Sequence, residues 1–261
     1  MSNTVIEKLL PNGVMHLSLN RPEIHNAFDD HQIDRLTSAL EVAENNEHVK
    51  VVVISGEGKS FSAGGDLSYM RHMGSNSYNE NLIDAARLAK LMKTLSSLST
   101  PTIARVHGAA FGGGVGLVSC CDFAFATPAA TFCLSEVKLG MIPATIAPYI
   151  VRAVGEKAAC RLFMSAEVFG SNRAWQLGLI SHLSEQDSLD LDIQMFIKSL
   201  LINAPSAVER AKKIASEVSQ GPIDDAMIEK TVVLIADLRA SEEGKEGLSA
   251  FLEKRKPKWT L

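Results

Sequence analysis

Short apolar runs that alternate with amphipathic stretches are the feature that most constrains the fold of this chain. Residues Val51–Ile54 form a continuous β-branched run, which is typical of a strand buried on both faces. A long stretch through Leu82 and Leu95 follows with apolar residues at helical spacing. Residues 102–106 and 123–126 again carry strand patterns. This alternation predicts an α/β fold with mainly parallel strands.

Two further elements are predicted nearer the N-terminus. Met15, Leu17 and Leu19 alternate with polar residues, and this period of two indicates a strand. Asp29 or Asp30 then provides a carboxylate that is suited to cap the helix that follows.

Beyond Leu183 the pattern changes to helices without strands. The predicted helices cover residues 204–218, 222–238 and 242–254. Gly221 and Gly244 are expected to separate them. We therefore expect a core over residues 1–200, and a C-terminal helical region over residues 201–261 that serves packing and oligomerisation.

Composition excludes several classes of protein. The chain is 46% hydrophobic and 21% charged, as in soluble globular proteins. Its net charge is −4, so no basic surface for nucleic acid is expected. Residues 1–10 lack a secretory signal pattern, and the uncharged run 108–121 is shorter than the ~20 residues of a membrane span. The four cysteines fit neither zinc nor disulfide spacing. We expect a cytoplasmic protein without a membrane or metal partner.

Glycine is concentrated in two short stretches of the sequence. Nine of the 18 glycines lie within residues 56–65 and 108–116. The end of a phosphate-binding loop is present at Gly58–Ser60, but its first glycine is replaced by Val53. The dinucleotide-binding pattern fails at its third glycine, which would fall at Leu117. Nucleotide phosphate binding is therefore a poor explanation for either stretch.

Two other interpretations of these glycines stay open. They can simply permit tight turns between strands and helices. Alternatively, they can expose backbone N–H groups that converge on one oxygen, as in an oxyanion hole. A helix beginning at Gly113 would offer free N–H groups and the positive end of its dipole. Such a site stabilises an enolate, and each donor contributes about 10²–10³ in rate.

Motifs around both glycine stretches follow one another in a defined order along nearly the whole chain. They are Leu19–Pro22, Asn26–Ala27, Phe61–Leu67, Val106–Gly114, Cys121–Asp122, Glu136–Pro143 and Phe251–Lys256. In this order they resemble the enoyl-CoA hydratase/isomerase (crotonase) superfamily. The segment Cys133–Thr145 is most similar to that of bacterial methylglutaconyl-CoA hydratase-like proteins.

The resemblance implies a fold, an assembly and a set of site residues. The fold is a spiral of repeated ββα units with a C-terminal helical region, assembled as a homotrimer or a dimer of trimers. Gly65 and Gly113 would bind the thioester carbonyl through their N–H groups, and Glu136 would be the catalytic carboxylate. The residues implied to bind the acyl-CoA substrate are His25, Ala27, Ala63, Gly64, Asp66, Leu67 and Gly116. No cofactor is implied, because CoA is part of the substrate.

Gly116 is also the point at which the sequence departs from the family pattern. Many hydratases of the superfamily carry a second glutamate there, so Glu136 is left as the single matching carboxylate. One carboxylate can add water in a concerted step, with a hydroxyl such as Ser135, Thr145 or Tyr149 holding the water. It can also shuttle a proton between two carbons.

Hydration of a branched or carboxylated 2-enoyl-CoA, of the methylglutaconyl type used in leucine catabolism, is our expectation. A Δ3,Δ2-enoyl-CoA isomerase is the alternative within enzymes. A non-catalytic acyl-CoA-binding or RNA-associated scaffold is the alternative outside them.

Several other polar residues have a structural interpretation beside a functional one. Asp66 is suited to cap a helix, and His107 is expected to be a hydrogen-bonded histidine at the end of a buried strand. Lys254 and Arg255 begin the densest basic run. This run is either a solvated tail or a cationic site for the phosphates of CoA.

Overall fold

A mixed sheet of mainly parallel strands is the framework of the chain in the computed structural model, which describes residues 3–219 and 221–260. Its strands are β1 (Val5–Leu9), β2 (Val14–Leu19), β3 (Val51–Gly56), β4 (Thr102–Val106), β6 (Phe123–Ala126) and β9 (His182–Leu183), in the spatial order β1-β2-β3-β4-β6-β9. β1 pairs antiparallel with β2, and the other neighbours pair in parallel. The predicted α/β class with mainly parallel strands is confirmed.

A smaller sheet and a series of helices complete the described structure. The smaller sheet contains β5 (Ala109–Phe111), β7 (Thr131–Cys133) and β8 (Phe169–Gly170). The helices are α1 (Asp30–Glu44), α2 (Leu67–Met73), α3 (Tyr78–Ser97), α4 (Gly113–Cys120), α5 (Ala147–Val154), α6 (Glu156–Ser165), α7 (Ser171–Gln176), α8 (Leu189–Leu201), α9 (Pro205–Val218), α10 (Asp225–Ala240) and α11 (Glu242–Leu252).

The chain packs as two compact units whose division falls within α8. The first unit ends at Ile193 and the second begins at Gln194. The boundary predicted between residues 200 and 201 stays a prediction.

The elements of the first unit form where the apolar pattern and the caps direct them. α1 begins after Asp29, whose carboxylate accepts the Gln32 N–H at 2.8 Å, as a helix N-cap should. Every residue of β3 is buried, in agreement with the continuous apolar run. Both predictions are confirmed.

The buried apolar side chains of α3 occupy only the C-terminal half of the helix. Ser77 and Glu80 form a capping box at its start, which explains why the helix begins in a polar stretch. Leu91 and Leu95 are fully buried, but Leu82 is 58% exposed. The predicted helix through Leu82 and Leu95 is confirmed, and its apolar side chains are buried only towards its C-terminal end.

The second unit contains the predicted C-terminal helices α9, α10 and α11. Gly244 was expected to separate two helices, but it lies inside α11. Its N–H donates to the capping hydroxyl of Ser241 at 3.0 Å, and a Cβ at Gly244 would overlap the carbonyl oxygen of Leu238. Gly244 therefore permits a close approach of two helix ends rather than a helix break.

Three further observations concern membrane spans, metal-binding groups and cysteines. None of the helices described within residues 3–219 and 221–260 combines the length and the hydropathy that a membrane span requires. The same residues contain no group of three or more His, Cys, Asp or Glu side chains arranged to hold a metal ion. Cys120 and Cys133 are free and buried, as expected for small core side chains.

Candidate active site

The two glycine stretches meet beside the N-terminus of α4. Ser62 and Ala110 form a parallel bridge, and the Phe111 N–H donates to the Ser62 carbonyl at 2.8 Å. A Cβ on Gly64 would lie 3.0 Å from the Phe111 carbonyl oxygen, and the φ angle of Gly64 is +90°. Both the contact and the backbone angle favour glycine there. This packing places Gly64 next to Gly112, directly before the helix.

The N–H group of Gly65 is available to a ligand. Gly65 is bridged to Phe28, whose N–H donates to the Gly64 carbonyl at 2.6 Å and whose carbonyl accepts the Asp66 N–H at 2.8 Å. These bonds use the groups on either side of Gly65. Its own N–H has no acceptor in the part of the chain that the structure describes, and the residue is exposed.

Gly113, the first residue of α4, provides a second N–H group that has no acceptor among the described residues. The first hydrogen bond into this helix runs from the Gly116 N–H to the Gly112 carbonyl at 3.2 Å. The N–H groups of the first helical turn have no acceptor within the helix. They also lie at the positive end of the helix dipole, which favours a developing negative charge.

Glu136 approaches the start of α4 from the end of the smaller sheet. It begins a 3-10 turn, Glu136–Leu139, and the Gly112 N–H donates to the Cys133 carbonyl at 2.9 Å. A Cβ on Gly112 would lie 3.2 Å from Oε1 of Glu136. Glycine at position 112 therefore allows the carboxyl group to lie against the backbone that leads into Gly113.

The carboxyl group of Glu136 has unused hydrogen-bonding capacity. Its Oε2 atom is buried and has no hydrogen-bond partner among the described residues. Burial raises the pKa of Glu136 above its ordinary value of 4.5, although its own backbone N–H opposes this shift. A buried carboxyl group with a raised pKa is suited to accept and return a proton.

Packing closes the position at which a second carboxylate was expected. Gly116 is buried, and a Cβ there would overlap the side chain of Ile146 and lie 3.1 Å from Sδ of Met92. Position 116 therefore faces Ile146 and Met92, whereas Gly112 is the position that faces Glu136. Gly116 thus serves helix packing, which argues against its predicted contact with the substrate.

The other predicted binding residues lie on segments that the structure brings together. The Ala63 N–H donates to the His25 carbonyl at 2.9 Å. His25 is exposed, and Leu67 is 79% exposed, so both present surface to a ligand. Ala27 is buried, and its carbonyl accepts a hydrogen bond from Arg21 at 2.9 Å. The predicted contact of Ala27 with CoA is therefore not supported by its burial.

Asp66 has a structural task that occupies both carboxylate oxygens. Oδ1 accepts the N–H groups of Ser68 at 2.7 Å and Tyr69 at 3.2 Å, which caps α2. Oδ2 accepts Nη2 of Arg21 at 2.9 Å. The capping prediction is confirmed, and these partners leave little of the carboxylate for the substrate contact that was also predicted.

His107 is held by the backbone and by a neighbouring side chain. Its Nε2 lies 2.9 Å from the Gly58 carbonyl and its Nδ1 lies 3.2 Å from Nη1 of Arg105. Burial is the main cause that lowers the pKa of His107. The prediction of a structural, hydrogen-bonded histidine is confirmed.

Arg255 is committed to ion pairs within the second unit. Its guanidinium contacts Glu246 at 2.6 Å and Glu253 at 2.7 Å. Hydrogen bonds from Arg255 lower the pKa of Glu246 to about 2. These pairs argue against the predicted phosphate contact of Arg255, whereas the contact predicted for exposed Lys254 stays a prediction.

Sequence reasoning gave no role to three residues that contact the site. The first is Phe28, whose backbone pairs with Gly64 and Asp66. The second is Arg21, whose side chain binds Asp66. The third is Ile146, whose side chain covers Gly116. Arg21 lies in the Leu19–Pro22 motif, which was the available signal for its importance. No sequence pattern links Ile146 to Gly116.

Comparison with known proteins identifies the family. The family model for enoyl-CoA hydratase/isomerase matches residues 10–261. A crotonyl-CoA hydratase of Syntrophomonas wolfei subsp. wolfei is 32% identical over 97% of this chain and 96% of its own length. A 2,3-dehydroadipyl-CoA hydratase of Escherichia coli K12 is 33% identical over 94% of each chain.

Solved structures agree with the sequence relatives. The crystal structure of an enoyl-CoA hydratase from Shewanella pealeana matches with a TM-score of 0.95 at 43% identity, over 98% of this chain and 96% of that one. The fold is the crotonase fold that the motifs predicted. The chain is therefore an enzyme of the enoyl-CoA hydratase/isomerase family.

Proposed function

We propose that this enzyme adds water across the double bond of a 2-enoyl-CoA thioester. The N–H groups of Gly65 and Gly113 bind the thioester oxygen and stabilise the enolate that forms in the transition state. The observation that carries the proposal is the buried Oε2 atom of Glu136, which has no hydrogen-bond partner among the described residues, in a carboxyl group beside the start of α4. The relatives named as hydratases support it further.

In this mechanism Glu136 moves the proton in both directions. The water oxygen bonds to the β-carbon of the substrate while Oε of Glu136 accepts one of the water protons. The resulting carboxylic acid then returns a proton to the α-carbon, and the enolate collapses to the thioester. A raised pKa favours this cycle because it lowers the cost of the protonated intermediate state.

The water molecule needs a second holder, since Ile146 and Met92 fill the space at position 116. Of the three hydroxyl groups considered from the sequence, that of Tyr149 is hydrogen-bonded to Ser96. Ser135 and Thr145 are half-buried and remain our candidates. A carboxylate on the substrate itself could hold the water in the same way.

The substrate that we propose is a branched or carboxylated 2-enoyl-CoA of the methylglutaconyl type. The sequence around Glu136 supports this class, as does a relative whose name specifies 2,3-dehydroadipyl-CoA. Catalysis requires no metal or separate cofactor in this scheme, because CoA arrives with the substrate.

We further propose a homotrimer or a dimer of trimers in the cytoplasm, without a nucleic-acid partner. The helices of the second unit support an assembly, since α9 and α10 have no buried residue among those described.

Double-bond isomerisation is the second candidate. A single carboxylate at Glu136 favours it as well, because moving a proton from one carbon to another requires one acceptor that also donates. Water is neither consumed nor needed in that reaction, so the products distinguish the two candidates.

The deciding experiment presents the purified enzyme with crotonyl-CoA, methylglutaconyl-CoA and a 3-enoyl-CoA. We expect products that are heavier by one water from the first two, with a higher kcat/KM for methylglutaconyl-CoA. Double-bond migration without a gain in mass would establish the isomerase. No change in any of the three substrates, together with measurable acyl-CoA binding, would establish the scaffold.

A further inference from the structure

We propose that Phe28 is a positioning residue that fixes the relative placement of the two N–H donors, Gly65 and Gly113. The proposal rests on the proposed function, because that function assigns these two N–H groups to the thioester oxygen. Phe28 contacts both donor segments, one through its backbone and the other through its ring.

The backbone of Phe28 orients the N–H of Gly65. The Phe28 N–H donates to the Gly64 carbonyl at 2.6 Å. This carbonyl and the Gly65 N–H belong to the same trans peptide plane, so they point in opposite directions. The bond to Phe28 therefore turns the Gly65 N–H away from Phe28. The Asp66 N–H, which donates to the Phe28 carbonyl at 2.8 Å, fixes the next peptide plane as well.

The ring of Phe28 abuts the first residue of α4. A Cβ on Gly113 would lie 3.0 Å from both Cδ2 and Cε2 of Phe28. Phe28 is 3% exposed, so its ring is enclosed and has little freedom to move aside. The position of the Gly113 N–H thus depends on a rigid aromatic ring whose own backbone pairs with the segment of Gly65.

Arg21 holds Phe28 from both neighbouring residues. Its Nη1 contacts the Ala27 carbonyl at 2.9 Å and the Asp29 carboxylate at 2.7 Å. Its Nη2 contacts Asp66 at 2.9 Å. The planar guanidinium of Arg21 therefore joins Ala27 and Asp29, the neighbours of Phe28, to Asp66. These contacts fix the backbone of Phe28 relative to the segment that contains Gly65.

The test compares Phe28→Leu with Phe125→Leu. Leucine keeps the backbone bonds and an apolar side chain, but it removes the ring atoms that abut Gly113. Phe125 is also 3% exposed but lies on β6, so its replacement matches the loss of a buried ring elsewhere. Phe28→Met, which keeps more of the side-chain volume, serves as the second variant where Phe28→Leu does not fold.

The readout is the infrared carbonyl stretch of bound butyryl-CoA that is labelled with ¹³C at the thioester carbon. We expect the wild type and Phe125→Leu to lower this frequency strongly relative to free butyryl-CoA. Phe28→Leu should reduce that shift and lower kcat by about 10- to 100-fold, with little change in KM, because misplaced donors weaken transition-state binding.

A wild-type carbonyl shift and wild-type kcat in Phe28→Leu, with only a loss of stability, would overturn the positioning role. Absence of the carbonyl shift in the wild type itself would instead refute the oxyanion roles of Gly65 and Gly113. The two failures are therefore distinguishable in one series of spectra.

Discussion

The Glu136 carboxyl group, to which we assign the proton transfer, lies in an energetically unfavourable environment. Its Oε2 atom is buried without a partner among the described residues, and burial raises its pKa above 4.5. Buried polar atoms without partners destabilise a fold. Such a cost is expected at an active site, where the missing partner is supplied by the substrate.

Replacing Glu136 by Gln should make the protein more stable at neutral pH. A carboxyl group whose pKa is raised on folding binds its proton more tightly in the folded state. The free energy of unfolding therefore falls as the pH rises above about 4.5, the ordinary value, through the raised pKa. Glutamine does not titrate, so the melting temperature of Glu136→Gln should exceed that of the wild type by an increasing margin over this range.

Thermal unfolding between pH 4 and pH 8 measures this effect, with Glu47→Gln at an exposed position as the control. A difference in melting temperature between Glu136→Gln and the wild type that is independent of pH would contradict the prediction.

Arg21 connects the N-terminal caps of two helices. Asp29 caps α1 and Asp66 caps α2, and Arg21 binds both carboxylates with 17% of its side chain exposed. Because the linked helices flank Phe28 and Gly65, the arginine ties local capping to the geometry of the proposed oxyanion hole.

Arg21→Met should lower the free energy of unfolding by about 2–4 kcal/mol, since it removes the cationic partner of two carboxylates that are only 24% and 11% exposed. Arg35→Met is the matched control, because the pair of Arg35 with Glu7 is 2.8 Å long but exposed. The control should cost no more than about 1 kcal/mol. If urea unfolding gave the same loss of unfolding free energy for both variants, the Arg21 ion pairs would stabilise the fold no more than an exposed pair does.

Ile146, which directly precedes α5, packs against α4 and limits the size of the side chain at position 116. Gly116→Glu alone should destabilise the fold by more than ~2 kcal/mol, because the new side chain overlaps Ile146. Ile146→Ala alone should cost about 2–4 kcal/mol. The double variant should lose less than the two together, because the smaller side chain admits the larger one.

Denaturant unfolding of the three variants tests this coupling. Gly170→Glu is the control, since a Cβ there meets no atom within 4 Å, and it should change stability little. Strictly additive losses for Gly116→Glu and Ile146→Ala would contradict the proposed packing.

Much of the framework could be predicted from the sequence, and the reasons are physical. β3 and α1 follow from apolar periodicity and a cap that are local in sequence. β8 and β9 span two residues each, which is too short for a period to be recognised. The contact of Phe28 with Gly113 depends on the tertiary path of the chain. No local pattern encodes such a contact.

The candidate site also contains residues that the sequence motifs mark and contacts that only the folded chain creates. The motifs identified Gly65, Gly113 and Glu136, and the structure supplies the surroundings that make each available to a ligand. The sequence also marked Gly116 as the missing carboxylate, but the side chain that closes this position, Ile146, became visible only in the folded chain.

The helices of the second unit leave apolar side chains uncovered in the single chain. Ile228, Val232, Val233 and Ile235 of α10 are between 46% and 58% exposed, and Phe251 is 80% exposed. Exposed apolar patches of this kind mark interaction surfaces in soluble proteins. They support association between copies of the chain.

We predict a molar mass in solution of three or six times the 28.2 kDa of one chain. Light scattering coupled to size-exclusion chromatography measures it directly. A monomer over the whole accessible concentration range would contradict the proposed assembly.

The central claim is that Glu136 carries the proton in a hydration reaction. Steady-state hydration of the preferred 2-enoyl-CoA by Glu136→Gln, with acyl-CoA affinity measured in parallel, tests this claim most directly. We predict that kcat falls by about 10²–10⁴-fold, as for the loss of a general acid–base group, while the affinity changes little. A kcat close to that of the wild type would contradict the assignment of Glu136.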